Sequence, residues 1–253
     1  MTQIEMARNG SLSWEMKRAA NAEGADNETV RRGVAEGTIV VPANSRHLNL
    51  RPRAIGTGLS TKVNANVGTS SDSGSVDTEL EKALVSAEFG ADAVMDLSTG
   101  GDIAAIRRAI LDGCPLPLGT VPIYQAGIEA AKNRGAIVDM TADDLFGVIE
   151  QQAEEGVDFM TVHCGVTQRS VELLKEQRRA TNVVSRGGAF LIGWMLRHER
   201  ENPLFEEFDR LLQIAHNYDF TLSLGDGMRP GSIGDATDRC QIEELITLGG
   251  LVE

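Results

Sequence analysis

The sequence predicts an α/β protein: an incomplete (β/α)8 TIM-type barrel of about six strand–helix units, behind a small, mainly helical N-terminal extension. Three observations predict it. Six short apolar runs, TKVNANVG, AVMDLSTGG, PLGTVPIYQ, FMTVHCGV, NVVSRGG and TLSLGDGMRPG, each end in glycine and polar residues. A stretch with helical spacing follows each run, and such alternation means parallel strands joined by crossover helices. Polar residues gather at the run ends, the face where these folds bind ligands. A closed barrel takes eight units, so a compact six-unit fold and an open doubly wound sheet stand as alternatives.

Residues 1–55 read as the extension and residues 56–253 as the partial barrel. In the extension, helices are expected over Thr2–Arg8, Ser13–Glu23 and Asn27–Glu36, with Ser13 and Asn27 as caps. TIVVPAN then forms a short strand, and a Pro-containing connection runs through Arg53. Strand Lys62–Asn66 leads through the Gly/Ser loop Val67–Ser75 into a helix over Val76–Phe89, with Val76, Leu80, Ala83, Leu84 and Ala87 at helical spacing. Strand Ala93–Leu97 precedes a helix over Asp102–Leu111, and strand Leu118–Ile123 precedes one over Gln125–Arg134. An extra helix, Ala142–Glu155, leads to strand Phe159–His163. A helix over Gln168–Arg178 precedes a short strand, Asn182–Ser185. Helical stretches Gly188–Arg200 and Pro203–Asn217, strand Thr221–Leu224 and a helix over Asp238–Leu248 complete the order.

The bulk numbers exclude several classes. A hydrophobic share of 42% over 253 residues is ordinary for a globular chain. No apolar run approaches the roughly 20 residues that span a bilayer. MTQIEMARNG lacks the apolar centre of a secretory signal, so a cytoplasmic location is expected. The net charge of -13 argues against nucleic acid or anionic lipid as a general partner. A small phosphate can still bind such a chain through backbone N–H groups and one or two Arg. Cys114, Cys164 and Cys240 are scattered and odd in number and no CxxC occurs, so Cys114 and Cys240 read as buried or reduced thiols, while Cys164, which follows His163 at a strand end, stays open.

The motifs each carry a functional and a bland reading. In SRGG, the Ser185 hydroxyl, Arg186 and the amides at the start of a helix suit a phosphate, and a tight turn with a surface Arg is the alternative. In GDGMRPG, Asp226 suits a sugar hydroxyl or an amine and Arg229 an anion, against a solvated Asp–Arg turn. His163 in HCGV is an acid/base or donor candidate, or a structural histidine. Tyr124 in PIYQ offers a phenol at a strand end, or core packing. Asn64 and Asn66 share one strand face. Met95, beside Asp96, reads by itself as core. No Walker motif and no strand-opening GxGxxG occurs.

Taken together, MTQIEMARNG, VVPAN, KVNANVG, VMDLSTGGD, PLGTVPIYQA, GVDFMTVHCGV, VVSRGG, ENPLFEEFD, LSLGDGMRPGSI and ELITLG resemble the phosphomethylpyrimidine synthase family, radical S-adenosylmethionine enzymes of thiamine biosynthesis. The resemblance runs over almost the whole chain. It implies a (β/α)8 barrel with an N-terminal domain, usually dimeric. It also implies a carbon–carbon lyase acting on 5-amino-1-(5-phospho-D-ribosyl)imidazole. The implied product is 4-amino-5-hydroxymethyl-2-methylpyrimidine phosphate, formed with S-adenosyl-L-methionine, a 4Fe-4S cluster and zinc.

By matching motif, the resemblance places substrate contacts at Asn66, Met95, Tyr124, His163, Ser185, Arg186, Gly187, Asp226, Gly227, Met228 and Arg229. It assigns no catalytic residue here. The family's EGPGH segment, metal histidines and cluster-binding cysteine triplet have no counterpart in these 253 residues. The chain is therefore expected to be a fragment that holds most of the substrate pocket and is inactive alone. Alternatives are a 5-hydroxybenzimidazole synthase using the same substrate, and a non-catalytic phosphoribosyl-binding fragment. A metal-free barrel lyase is disfavoured because no Schiff-base Lys stands at a strand end.

Overall fold

The computed structural model describes residues 1–70 and 74–252. Part of the predicted Gly/Ser loop, residues 71–73, lies outside the described residues. In chain order the elements begin with α1 (Gln3–Arg8), α2 (Trp14–Glu23), α3 (Asn27–Glu36), β1 (Ile39–Val40) and β2 (Ile55–Gly56). Next come β3 (Asn64–Val67), α4 (Val76–Glu88), β4 (Ala93–Asp96), α5 (Ile103–Gly113) and β5 (Leu118–Thr120). The series α6 (Pro122–Arg134), α7 (Ala142–Glu155), β6 (Phe159–Val162) and α8 (Gln168–Glu176) follows. The last elements are α9 (Arg186–His198), α10 (Pro203–Glu206), α11 (Phe208–Tyr218), β7 (Thr221–Leu224) and α12 (Arg239–Val252).

Five strands form one sheet in the order β3-β4-β5-β6-β7, so strand order follows chain order. The resolved registers are parallel: Asn66 pairs with Met95, Val67 with Asp96, Val94 with Leu118 and Gly119 with Phe159. Sequential parallel pairing through crossover helices is the arrangement of part of a β/α barrel. The expected sixth strand is absent. Within Asn182–Ser185 only Val183 pairs, in an isolated bridge to Pro230. Two valines next to Ser185 and its helix start leave no length for a ladder.

The chain divides into two compact units. The first comprises residues 1–120, 150–160 and 214–222. One of its cores is drawn from the start of the chain: Ala7, Met16, Ala20, Val30, Val34, Ile39, Val41, Leu50 and Ala54 are buried together. Ser13 caps α2 as expected, accepting from Met16 N–H at 3.0 Å. The cap of α3 is Asp26 rather than Asn27, since Asp26 Oδ2 accepts from Glu28 and Thr29 N–H. A second core joins β3, β4 and β5 to α4 and α5 through Val67, Ala83, Val94, Ile106, Ile110 and Leu118. Each such buried Val, Ile or Leu side chain contributes about 1.5–3 kcal/mol relative to exposure. A buried carboxylate, Asp158, accepts from Asn44 N–H, Leu118 N–H and His47 Nδ1, which ties the segment after β1 to the strand starts.

The second unit comprises residues 121–149, 161–213 and 223–253. Leu191, Trp194 and Met195 bury one face of α9, and Trp194 Nε1 donates to Met140 O at 2.6 Å. The predicted strand Leu118–Ile123 stops at Thr120, because Pro122 opens α6 at its first turn. Tyr124 therefore stands in the first turn of a helix, not at a strand end. The predicted helix over Pro203–Asn217 is two helices, α10 and α11. Among the described residues no helix is long and apolar enough to cross a membrane.

Candidate functional site

In the first unit, Asn66 and Met95 are directly paired across β3 and β4. Asn66 is exposed and Met95 half-buried. Asn64, on the same face as Asn66, directs its amide to Met95 Sδ at 3.8 Å. Asp96 is buried and accepts from Ser98 N–H at 2.9 Å. Burial pushes its carboxyl upward.

The second unit holds the remaining nine predicted residues. His163 follows β6 and is buried. Asn202 fixes the turn after it, since its amide nitrogen donates to His163 O and Val166 O, both at 2.9 Å. His163 Nε2 lies 3.3 Å from Ser185 Oγ, and His163 Nδ1 has no hydrogen-bond partner among the described residues. Burial holds the imidazole down at about 4, and the Arg229 charge adds to this while Asp226 opposes it. His163 is therefore neutral near pH 7, a donor or acceptor rather than a cation.

Ser185 caps α9, its Oγ accepting from Gly188 N–H at 3.2 Å. α9 thus presents its first amides beside Arg186, an arrangement that suits an anion. The Arg186 guanidinium stands 5.1 Å over the Tyr124 ring, which makes an edge contact with Phe190 at 6.2 Å. The glycines here are spatial requirements. A Cβ on Gly187 would lie 2.3 Å from His163 Cε1, and one on Gly188 would lie 2.1 Å from Gly227 O.

The loop after β7 begins where Gly225 N–H donates to Val162 O at 3.0 Å. Gly227 and Met228 are buried, while Asp226 and Arg229 project outward and meet at 3.4 Å. That exposed pair is weak, so Arg229 can turn to an incoming anion. Two supporting residues have no place in the motif reading. One is Asn202; the other is Glu244, whose carboxylate accepts from Gly227 N–H at 2.6 Å and Met228 N–H at 2.8 Å. A signal for Glu244 existed: it stands four residues from both Cys240 and Leu248, a carboxylate on an otherwise apolar helix face. A cavity of about 230 Å³ lies along this helix, lined by Asp226, Gln241, Ile242, Glu244, Leu245 and Leu248 among others.

The segments Ser185–Gly188 and Gly225–Arg229 adjoin within the unit, an arrangement that suits an anion. Its sequence motifs are shared with known proteins. The profile of the Radical SAM ThiC family matches residues 2–253. The chain belongs to that family. It is 58% identical over all its 253 residues to phosphomethylpyrimidine synthase of Dehalococcoides mccartyi strain CBDB1, of which it covers 59%. The corresponding enzymes of Desulforamulus reducens and Moorella thermoacetica are 57% and 56% identical over the same span, again covering 59% of each. This family member therefore spans about three-fifths of the length of the curated relatives it matches.

The cysteines of this family member do not fit an iron–sulfur cluster. Burial pushes Cys164 up to about 12 and Cys240 up to about 11, and it raises Cys114 as well. Cluster ligation needs thiolates. Among the described residues no group of three or more His, Cys, Asp or Glu is placed to hold a metal ion.

Proposed function

We propose that this chain is the substrate-binding portion of a phosphomethylpyrimidine synthase of thiamine biosynthesis, and that it binds 5-amino-1-(5-phospho-D-ribosyl)imidazole. The observation that carries the proposal is the capped start of α9. The helix start carries Ser185, Arg186 and two glycines, and its Gly188 backs so closely on Gly227 that a Cβ there would lie 2.1 Å from Gly227 O. The amides of Gly187 and Gly188, the Ser185 hydroxyl and Arg186 take the phosphate. Asp226 and Arg229 meet ribose hydroxyls and imidazole edges. Neutral His163 backs Ser185 through Nε2 without adding charge, its Nδ1 buried behind the helix start and unpaired among the described residues. Tyr124 supports Arg186 from below and can hydrogen-bond through its phenol. Gly227 and Met228 complete the proposed contacts within this unit.

The lyase reaction belongs, on this reading, to the full-length protein, a cytoplasmic homodimer. S-adenosyl-L-methionine, a 4Fe-4S cluster and zinc are its cofactors there, and no step through them is assigned to the residues described here. Titration calorimetry with the aminoimidazole ribotide tests the binding. The expected result is saturable heat that Arg186→Ala abolishes, and its absence in the unsubstituted chain overturns the assignment. Iron–sulfur reconstitution of this chain is expected to give no reducible cluster by EPR, and a 4Fe-4S signal would contradict the reading.

A further inference from the structure

The loop after β7 rests on a residue from the helix that follows it. Glu244 lies in α12 and is buried on one helix face with Cys240 and Leu248. Both of its carboxylate oxygens are engaged, Oε1 by Gly227 N–H at 2.6 Å and Oε2 by Met228 N–H at 2.8 Å. Its stem packs on the turn after β6, where a Cβ on Gly165 would lie 2.6 Å from Glu244 Cγ. Gly227 in turn presses on the start of α9, with its carbonyl oxygen 2.1 Å from the place a Gly188 Cβ would take. A buried carboxylate accepting two backbone amides forms charge-assisted bonds, the strong kind.

We propose that Glu244 is a positioning residue. It fixes Gly227 and Met228 against Gly188, and through them it fixes where Asp226 and Arg229 project beside the Ser185–Gly188 helix start. The choice of ligand rests on the reading given above, while the clamp itself does not. An amide cannot replace the carboxylate, because its oxygen accepts one N–H and its NH2 faces the other donor. Protonation has a similar effect, converting one acceptor into a hydroxyl. Burial pushes the Glu244 carboxyl up to about 7 against the two amide bonds, with Asp226 adding to the rise and Arg179 opposing it. Asp226 on the loop and Arg179, itself bound to Asp238 on both Nε and Nη2, are the charged groups whose fields reach it. The clamp is thus ionic above neutrality and loosens below it.

Two measurements on the full 253-residue chain test this. The first needs no ligand. In 15N–1H spectra recorded between about pH 5 and 9, the Gly227 and Met228 amide protons are expected to shift with one shared midpoint near neutrality. That titration is expected to vanish in Glu244→Gln. Amides that do not titrate together, or a titration that persists in Glu244→Gln, overturn the clamp. The second is calorimetry with the aminoimidazole ribotide. Glu244→Gln is expected to bind about tenfold or more weakly at pH 8, in keeping with the loss of a charge-assisted bond. Glu244→Asp is expected to recover part of that loss. The unsubstituted chain is expected to lose affinity several-fold from pH 8 to pH 6. Equal affinity in Glu244→Gln overturns the positioning role. No binding by the unsubstituted chain overturns the ligand reading instead, and the amide titration then decides the clamp without it.

Discussion

After β3 and again after β7, the chain enters a loop whose backbone N–H groups are taken by a glutamate from the next helix. In the first case Glu79 of α4 accepts from Gly68 N–H at 2.7 Å, and its other oxygen meets Lys82 Nζ at 2.7 Å. In the second, Glu244 of α12 spends both oxygens on amides and has no ion-pair partner among the described residues. Both glutamates are fully buried. The difference is the counter-charge. Lys82, half-exposed one turn along its helix, neutralises Glu79. Glu244 is hydrogen-bonded to backbone amides and paired with no cation among the described residues, and burial raises its carboxyl toward neutrality. One device thus serves as a strut in the first unit and as a titratable clamp in the second.

The largest effects are expected from the loop glycines. Gly68 has φ +146°, and a Cβ there would lie 2.7 Å from both Leu97 C and Ser98 N, main-chain atoms that cannot yield. Gly68→Ala is expected to lose on the order of 3 kcal/mol, read from the urea midpoint. Gly227→Ala meets chiefly a side-chain methyl, Val166 Cγ2 at 2.3 Å, with Gly188 Cα farther off at 3.2 Å, and is expected to lose about 1 kcal/mol. A reversed order would make the β7 loop the more rigid of the two and break the comparison.

Removal of the glutamates comes next. Glu244→Ala orphans two buried amides and Glu79→Ala one, at about 1–3 kcal/mol for each unsatisfied group. Glu244→Ala is therefore expected to be the more destabilising by on the order of 1 kcal/mol at pH 8, where both carboxylate oxygens accept, by chemical denaturation. Equal losses would mean that the second Glu244 bond contributes nothing.

The pH profile sharpens the contrast further. A carboxyl at about 7 in the folded chain, against an ordinary value near 4.5, binds its proton more tightly when folded. Its stabilising contribution is complete below about pH 4.5 and is lost as pH rises through 7, on the order of 3 kcal/mol in all. His163, held down at about 4 from 6.5, acts in the opposite sense. Its contribution is present above about pH 6.5 and is lost as pH falls toward 4. The two slopes oppose each other between about pH 4.5 and 6.5. Glu244→Gln is expected to unmask a stability that rises with pH across that window, measured by urea titration at each pH. A parallel profile for the two proteins would place the titration elsewhere.

The smallest effect is expected at Tyr124, away from both clamps. Tyr124→Phe keeps the ring beneath Arg186 and is expected to change stability by less than about 0.5 kcal/mol. Tyr124→Ala removes a stacking contact of about 0.5–1 kcal/mol and is expected to weaken ribotide binding modestly in calorimetry.

Much of this was legible from residue order. Strand–helix alternation predicted the parallel sheet, and five of the six apolar runs are strands in it. Ser13 caps α2 where a hydroxyl before the helical stretch predicts it, whereas Ser185, read as a strand end, proves to cap α9. Other features misled. The run at Asn182–Ser185 has the composition of a strand but too few residues to build a ladder. Pro122 marked a helix start that the apolar run concealed, so Tyr124 was assigned to a strand end. Asn202 caps α10 and its amide also holds the turn after His163, through bonds to residues 36 and 39 positions away that residue order does not signal.

By itself the sequence determined the alternation of strands and helices, the SRGG and GDGMRPG turns, and membership of a family whose curated members are longer. Local propensity and motif are properties of neighbouring residues, so they survive without coordinates. Only the tertiary structure decided that His163 is neutral, that Glu244 grips Gly227 and Met228, and that the cysteines are buried thiols. Protonation and clamping depend on burial and on partners 16 or more positions away, which residue order does not contain.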